Sequence, residues 1–427
     1  MYTLLVKDGN NEIFPIAFDP HSRTLVNKKT FQIIKRKSIG SFERPSPYVL
    51  SVVLGVKCNL HCDYCIQTDI RSRVNLDFSP KKVKGFLNKL KKVDLTKIRK
   101  INLWGGEPLV YWKTLQLLIP ELKAICPNLE RFYLSTNGAL LTEDKLDFLL
   151  QNNTTIQISD DIFNENRNIN LEKTRELLSK MKEKYPDSNM CIHACYTKEH
   201  PDALKTMQEA EKWYKGSFDF RGSPVGPPLH LGNSPIKYEL PFTKDALLLM
   251  EESIFQAYIK KEKFAYLDRK IFQFFKASHL KGYACRFATQ QEVCLDVHGN
   301  MYACRGSFDP ENIIGNVEVD NVPVISPKFK KVTDRAFCKN CPLIFFCNGI
   351  CSQLPDRVIS KYCLTHYASS RGVFRAMLKL VYNLDLIKIL NIDADKIFQH
   401  CLSYEELSNK YNASNKPSKI IPITLES

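Results

Sequence analysis

The run Val49-Leu50-Ser51-Val52-Val53-Leu54 leads through Gly55-Val56-Lys57 into Cys58-Asn59-Leu60-His61-Cys62-Asp63-Tyr64-Cys65. An apolar, β-branched run closed by glycine reads as a buried strand. Three thiols spaced C-x3-C-x2-C therefore stand on a loop at its C-terminal end. Thiols this close on a loop, rather than on a helix face, can converge on one metal centre. Three ligands for a four-iron cube leave one iron without a protein ligand. An open coordination position is what a catalytic site needs and a structural site avoids. The rival is a zinc knuckle, which wants a fourth Cys or His close by; His61 is the local candidate, wedged between two of the cysteines.

The same rhythm continues downstream. Lys100–Trp104, Arg131–Ser135, Thr155–Ser159, Asn189–Thr197 and Ser217–Phe220 are rich in Val, Ile, Phe and Tyr and bounded by Gly, Asn, Asp or Pro, so each predicts a strand. Between them Pro80–Lys92, Trp112–Ile125, Thr142–Leu150, Leu171–Glu183 and Asp202–Tyr214 carry helical periodicity. Six β/α units in series predict a parallel sheet with helices outside, too few to close an eight-fold barrel. The expected fold class is α/β: a partial (β/α)6 TIM-like barrel over residues 48–225, with functional residues at the C-terminal ends of its strands. Residues 1–47 read as a small N-terminal β appendage with a turn at Asp8-Gly9-Asn10-Asn11. Residues 226–282 read as a helical linker, apolar on one face over Phe242–Leu280. Residues 283–365 read as a small cysteine-rich domain, and residues 366–427 as a C-terminal helical region with a Lys-, Asn-, Ser- and Pro-rich tail.

Composition excludes several classes. The 427-residue chain is 44% apolar and 25% charged, which argues against disorder or a fibrous repeat. There is no uncharged apolar run of about 18 residues, so no membrane span is expected. Met1–Asp8 lacks the pattern of a signal peptide. The expectation is a cytoplasmic protein whose fifteen cysteines stay reduced and serve metals or catalysis rather than disulfides. The net charge of +15 would suit a polyanion, yet Lys81–Lys100 interleaves lysines with Val83, Phe86, Leu87, Leu90 and Val93 at helical spacing. That is the pattern of a solvated amphipathic helix. Neither a membrane nor a nucleic-acid partner is expected.

With its three-cysteine loop after the first strand, the chain resembles the radical S-adenosylmethionine (SAM) enzymes. The resemblance implies that Cys58, Cys62 and Cys65 hold a [4Fe-4S] cluster whose free iron binds SAM. It also implies a 5′-deoxyadenosyl radical that abstracts hydrogen from the substrate. Gly105-Gly106-Glu107-Pro108 follows the second strand, where the family contacts the SAM amino group. Two glycines let backbone approach a ligand, and Glu107 offers a carboxylate to an ammonium. The third strand ends in Ser135-Thr136-Asn137-Gly138, with Ser135 and Asn137 at the place of the family's ribose contacts. The fourth ends in Ser159-Asp160-Asp161, at the place of a Ser-x-Asp-Gly segment whose glycine is missing here. Ser159 is retained as a cofactor contact, and Arg167, in the shortened segment beyond, is the candidate for the SAM carboxylate. Tyr64 matches an aromatic that packs by the adenine and reads equally well as an ordinary packed ring.

The later cysteines have their own order. Cys285 is followed by thirteen residues, Gly299, four residues and Cys304; then come Cys338-x2-Cys341-x5-Cys347-x3-Cys351 and, eleven residues on, Cys363. Spacing alone also permits zinc ribbons, and with the basic charge a zinc-ribbon nucleic-acid binder is the reading from another class. Beside the first loop, the string is similar to the seven-cysteine SPASM domain of peptide- and protein-modifying radical SAM enzymes. That resemblance implies two auxiliary [4Fe-4S] clusters, one held by Cys338, Cys341, Cys347 and Cys363, the other by Cys285, Cys304 and Cys351. Cys294 is either a fourth ligand to the latter or a buried strand thiol.

Sulfatase-maturing members carry an aspartate base after the cysteine corresponding to Cys304. This chain has Arg305, and a guanidinium cannot act as a base at neutral pH. The reading is then a maturase of a ribosomally made peptide, with darobactin- and cyclophane-forming enzymes as attractive relatives, installing a side-chain crosslink. Sulfatase-type protein maturation is the alternative. The implied partners are a precursor peptide and an electron donor such as flavodoxin or ferredoxin. Forty-seven residues leave no room for a full winged-helix leader-recognition domain, so leader binding falls to the appendage, the linker or a separate partner. In the fifth strand Cys191, His193 and Cys195 share one side. They read either as a packed face with a satisfied histidine or as groups flanking a substrate channel. Cys126 and Cys401 lie in helical patterns and read as buried hydrophobes.

Overall fold

The computed structural model describes residues 2–390 apart from 21–23, 28–47, 63, 68–69, 72–73, 164–170, 198, 215–217, 225–242, 261–284, 289, 307, 321–329, 348 and 352. Arg167, most of the linker over 226–282, the tail and Cys401 lie outside the described residues.

Strand β4 (Val49–Val53) is buried along its whole length. It pairs in parallel with β5 (Lys100–Trp104), and β6 (Arg131–Thr136), β7 (Thr154–Ser159), β8 (Met190–Tyr196) and β9 (Asp219–Pro224) follow in turn, each parallel to the one before. The crossovers are helices α1 (Val83–Leu90), α2 (Trp112–Ile125), α3 (Glu143–Gln151), α4 (Glu172–Lys184) and α5 (Ala203–Trp213). Side-chain oxygens start several of them. Thr142 accepts from the Lys145 amide and Asp202 from the Lys205 amide, caps that stabilise a helix by about 1 kcal/mol each.

Alternation along the strands gives the sheet two unlike faces. Ile101, Leu103, Phe132, Leu134, Ile156 and Ile158 are fully buried in the core. The opposite face carries Asn102 and Trp104, Tyr133 and Ser135, Gln157 and Ser159, His193 and Cys195, and Arg221 and Ser223, nearly all half-buried. This polar face lines the interior of the partial barrel.

The cysteine-rich region is built onto the same sheet. Strand β10 (Glu292–Leu295) pairs in parallel with β4, setting Cys294 opposite Ser51. It turns antiparallel into β11 (Asn300–Tyr302) and β12 (Ile313–Asn316), completing the order β12-β11-β10-β4-β5-β6-β7-β8-β9. Short helices α7 (Ala336–Lys339) and α8 (Ile344–Cys347) follow, then the 27-residue α9 (Asp356–Tyr382). A boundary at residue 365 thus falls inside one continuous helix. On α9, Arg371 and Arg375 reach the buried Glu251 of α6 (Lys244–Ile259) at 3.3 and 3.0 Å.

The appendage is a sheet whose fourth strand comes from the other end of the chain. Strands β1 (Tyr2–Lys7), β2 (Ile13–Asp19) and β3 (Thr24–Asn27) are joined antiparallel by β13 (Asp385–Leu390), which lies against β1. The sequence reading gave only helix and tail after residue 366. The missed signal is Asn383, left-handed at φ +53°, which ends α9 and turns the chain into a short alternating strand. Phe374 of α9 packs on Phe18 and Phe346, at 5.2 and 5.4 Å between ring centres, tying appendage, helix and cysteine-rich region into one core.

Candidate active site

The mouth of the barrel is assembled from the ends of β4, β5 and β6. The glycines after β5 lie hard against backbone. A Cβ on Gly105 would stand 2.7 Å from the Gly55 carbonyl, and one on Gly106 would strike the carbonyls of Val56 and Lys57. This closeness lets the Gly106 and Glu107 amides donate to Gly55 and Lys57 at 3.0 and 2.9 Å, fastening the strand that leads into the cysteine loop. The two glycines thus have a packing role in addition to the ligand approach expected of them.

Glu107 is buried and accepts from the Leu109 amide at 3.0 Å, the Thr136 hydroxyl at 2.7 Å and the Asn137 amide at 2.8 Å. Pro108 opens the short helical turn that follows. Asn137 in turn donates its side-chain amide to Asn59 at 2.8 Å and to the Cys58 sulfur at 3.9 Å. Ser135 accepts from Gln157 at 3.2 Å on the interior face, Ser159 is half-buried at the end of β7, and Tyr64 is half-buried in the loop. Cys58, Cys62, Cys65, Glu107, Ser135, Asn137 and Ser159 thus stand at adjoining strand ends.

Arg71, which sequence reasoning missed, clasps the loop by donating to the carbonyls of Leu60 at 2.8 Å and Cys58 at 3.3 Å. Burial raises the Cys58 thiol; the Leu60 amide, donating to its sulfur at 3.4 Å, and the Arg71 guanidinium oppose it, while Glu107 and Cys65 add to it. A second amide, that of Gln67, donates to the Cys65 sulfur at 3.4 Å. Such donors favour the thiolate, the form that binds metal.

Beyond the Ser159-Asp160-Asp161 segment lies the buried Ile162 at φ +57°, a left-handed conformation costly for a β-branched residue. Asp160 is locked by Arg175 at 2.9 Å and the Tyr214 hydroxyl at 2.7 Å. On β8, burial lifts Cys191 up to about 11, His193 Nε2 lies 3.2 Å from the Ser223 hydroxyl, and the Cys195 amide donates to Asp161 at 2.8 Å. His193 therefore has a hydrogen-bond partner and also faces the barrel interior.

The later thiols gather in two sets. Burial raises Cys285, with Cys351 adding to it, and lifts Cys304 up to about 12, with Cys351 and Cys285 adding. Burial lifts Cys338 up to about 12, with Cys347 adding, and raises Cys341, with Cys347 and Cys338 adding. Cys363 and Cys341 both act on the hydroxyl of Tyr367. Cys294, fully buried in β10, is raised first by burial, then by Glu292 and Cys304. Between the sets sits Arg335, 1% exposed, donating to the carbonyls of Gly349, Cys351 and Leu354 at 3.3, 2.7 and 2.9 Å. Neither Arg71 nor Arg335 belongs to a motif, so only their three-dimensional contacts reveal them.

Among the described residues, no three His, Cys, Asp or Glu side chains converge on a single-ion site. A four-iron cube is instead held by thiolates at separate corners, and the donor chemistry of the loop fits one: three thiols, amide donors to two of the sulfurs, and a flanking guanidinium. The model of the Radical SAM superfamily matches residues 52–209, which run from β4 into α5. Residues 52–209 form a radical SAM domain. Such a domain implies a four-iron cluster and SAM. The chain is 23% identical over 385 residues, 81% of its length and 74% of the relative's, to the radical SAM cyclopropyl synthase TigE of Paramaledivibacter caminithermalis. It is 35% identical over 124 residues to a GTP 3′,8-cyclase of Clostridium perfringens, spanning only 36% of that relative. Its fold is similar to that of native anSMEcpe with bound AdoMet and Kp18Cys peptide, with a TM-score of 0.60 and 18% identity, covering 78% of this chain and 99% of that one. It is also similar to Streptococcus suis SuiB, with a TM-score of 0.50 and 15% identity, covering 79% and 94%. Among the described residues, no helix is long and apolar enough to cross a membrane.

Proposed function

We propose that this radical SAM enzyme is a maturase of a ribosomally made precursor peptide, acting in a reducing cytoplasm and installing a side-chain crosslink. The observation that carries the reading is the continuity of one sheet from the cysteine loop to the later cysteines. Strand β10 bridges them, so the barrel and the second cysteine region share one sheet. Cys58, Cys62 and Cys65 would hold the SAM-binding cluster. Cys285, Cys304 and Cys351 would hold one auxiliary cluster, and Cys338, Cys341, Cys347 and Cys363 the other. When bound, cluster and SAM supply one-electron, hydrogen-abstracting chemistry. The chain's own residues position the reacting C–H bond and exclude water. Glu107 and Asn137 hold the strand ends around the cofactor, and Ser135 and Ser159 border it. Electrons would come from a flavodoxin or ferredoxin.

The sulfatase-type reading is disfavoured by Arg305, whose guanidinium lies 4.6 Å above the Trp104 ring and 3.5 Å from Glu292, held as a cation where a base would be required. The test is incubation of the anaerobically reconstituted enzyme with SAM, a reductant and the peptide encoded beside its gene, followed by mass spectrometry. A product lighter by two hydrogens supports crosslinking. A peptide of unchanged mass and unchanged residue configuration, despite 5′-deoxyadenosine formation, overturns the peptide reading.

A further inference from the structure

A crosslink removes two hydrogens from the peptide, and they leave in different forms. The first departs as an atom, to the 5′-deoxyadenosyl radical. The second departs as a proton and an electron when the new bond closes, so the barrel interior needs a base. Arg305 cannot supply it. Other titratable groups on or beside that face are also unfit. Burial lifts Cys191 up to about 11 and the Tyr133 hydroxyl up to about 12, so both keep their protons at neutral pH. Lys100, whose ammonium lies 4.1 Å from the Tyr133 ring centre, and Arg221 are cations. Glu292 is buried and engaged by Ser51 at 2.5 Å, Asn102 at 3.1 Å, Arg286 at 3.1 Å and Arg305 at 3.5 Å. Asp160 is held by Arg175 and Tyr214, Asp161 by the Cys195 amide, and Glu107 by its three donors. Asp219 stands at the exposed start of β9, the end of that strand away from the mouth.

His193 is placed for the task. It is half-buried on the interior face of β8. In the parallel ladder it stands between Ser159 on β7 and Arg221 on β9, one strand away from a residue that borders the cofactor. Two residues nearer the mouth, Cys195 and Ser223 form the next registered pair. The Ser223 hydroxyl lies 3.2 Å from His193 Nε2. A hydroxyl both donates and accepts, so this contact holds the ring in place whether or not it is protonated. The charged and titratable groups around the ring are Arg221, Cys195 and, at the end of β7, Asp160 and Asp161. We infer that His193 is the base that takes the second proton, with Ser223 as the side chain that positions it. The step then balances. The substrate radical carbon bonds to a second peptide atom, the hydrogen of that atom leaves as a proton to the imidazole, and the electron passes to an oxidised iron–sulfur centre at the later cysteines. This rests on the crosslinking reading above.

The test compares the full-length, anaerobically reconstituted wild type with His193→Gln on the peptide encoded beside the gene, counting crosslinked product and 5′-deoxyadenosine together. The ratio of product to 5′-deoxyadenosine should fall about hundredfold in the variant, the size expected for a lost general base. In the wild type that ratio should rise with pH through the ordinary imidazole range, about 6 to 7, and the variant should lack the rise. A second measurement needs neither variant nor turnover. Diethyl pyrocarbonate acylates neutral imidazole, and bound peptide should slow its reaction at His193, mapped by mass spectrometry. An unchanged ratio in folded His193→Gln overturns the inference, as does a His193 that reacts equally fast with and without peptide. A lowered ratio that keeps the wild-type pH profile makes His193 a packing residue and overturns it too. A wild-type product of unchanged mass but inverted configuration overturns it while leaving the peptide substrate in place, since no second hydrogen departs. A peptide left untouched while 5′-deoxyadenosine forms sinks the peptide reading, and this inference with it.

Discussion

The two cysteine regions put the same side chain into opposite settings. Exposed area does not separate them, because Cys58, Cys62 and Cys65 are half-buried and so are Cys285, Cys304, Cys341, Cys347, Cys351 and Cys363. The surroundings do. Around Cys58, burial is opposed by an amide and by Arg71, at the open mouth of a barrel. Burial is the largest cause at Cys58 too. Around Cys304 and Cys338, however, it outweighs its opponents, the Gly306 amide and Arg305 at the first and Arg335 at the second, and lifts the thiols up to about 12. A loop anchored only at its root can admit a ligand to an open corner. Thiols enclosed by short helices and a buried arginine suit centres that stay in place. The later region also carries the packing that joins appendage, α6 and α9, so its cysteines are structural in a way the loop is not.

The largest effect comes from deleting one thiol in each region. Cys58→Ala should abolish 5′-deoxyadenosine formation and remove about four irons per chain, with thermal unfolding little changed. Cys338→Ala, at a buried position, should lower the unfolding midpoint by several degrees besides losing iron. Iron and sulfide analysis with differential scanning calorimetry reads both. If Cys58→Ala unfolds the chain as readily as Cys338→Ala, the contrast between an open loop and an enclosed structural set fails.

A smaller effect, confined to the second region, is expected at Arg335. Arg335→Met keeps the bulk but leaves three buried carbonyls without their donor. Lost donors of this kind destabilise by about 3 kcal/mol or more in sum. Denaturant unfolding should show that loss, and iron should fall only by the share held by the later cysteines. Loss of the loop's cluster as well would show that the two regions assemble as one unit.

Much of this was legible in the sequence, for identifiable reasons. Strands β4 to β8 follow from β-branched runs with glycine or asparagine at their ends, and local pattern is enough where one face is apolar throughout. The cysteine spacings carry their chemistry wherever they sit in space. Strand β13 was not legible, because six residues after a long helix show their partner, β1, only when chain ends meet. Arg71, Arg335 and the Glu292 cluster escaped for a related reason: their contacts join residues 11 to 241 positions apart, and a lone arginine has no periodicity. The glycines of Gly105-Gly106 were legible as a site for close approach, but not as an approach to Gly55 and Lys57.

The smallest expected effect concerns the backbone, and it places both regions on one scale. Ile162 at the mouth and Ile350 beside Cys351 both hold left-handed angles, φ +57° and +65°. A β-branched residue there carries about 1–3 kcal/mol of strain. Alanine at position 162 would lose the buried side chain and keep the strain, whereas glycine loses nearly the same burial and relieves it. Ile162→Gly should therefore be more stable than Ile162→Ala by about 1 kcal/mol, the reverse of the order seen in helices and strands. At Ile350 the advantage of glycine should be smaller. Gly349 already gives that turn freedom in the unfolded chain, at φ +70° in the fold, and a second glycine adds to the entropy lost on folding. Paired denaturation curves for the four variants measure both differences. If alanine wins at position 162, the left-handed turn after Asp161 is not enforced, and the mouth is as relaxed as any surface loop. If glycine wins at both positions, strain is stored at the open and the enclosed region alike, and what separates them is access to the thiols rather than rigidity of the backbone.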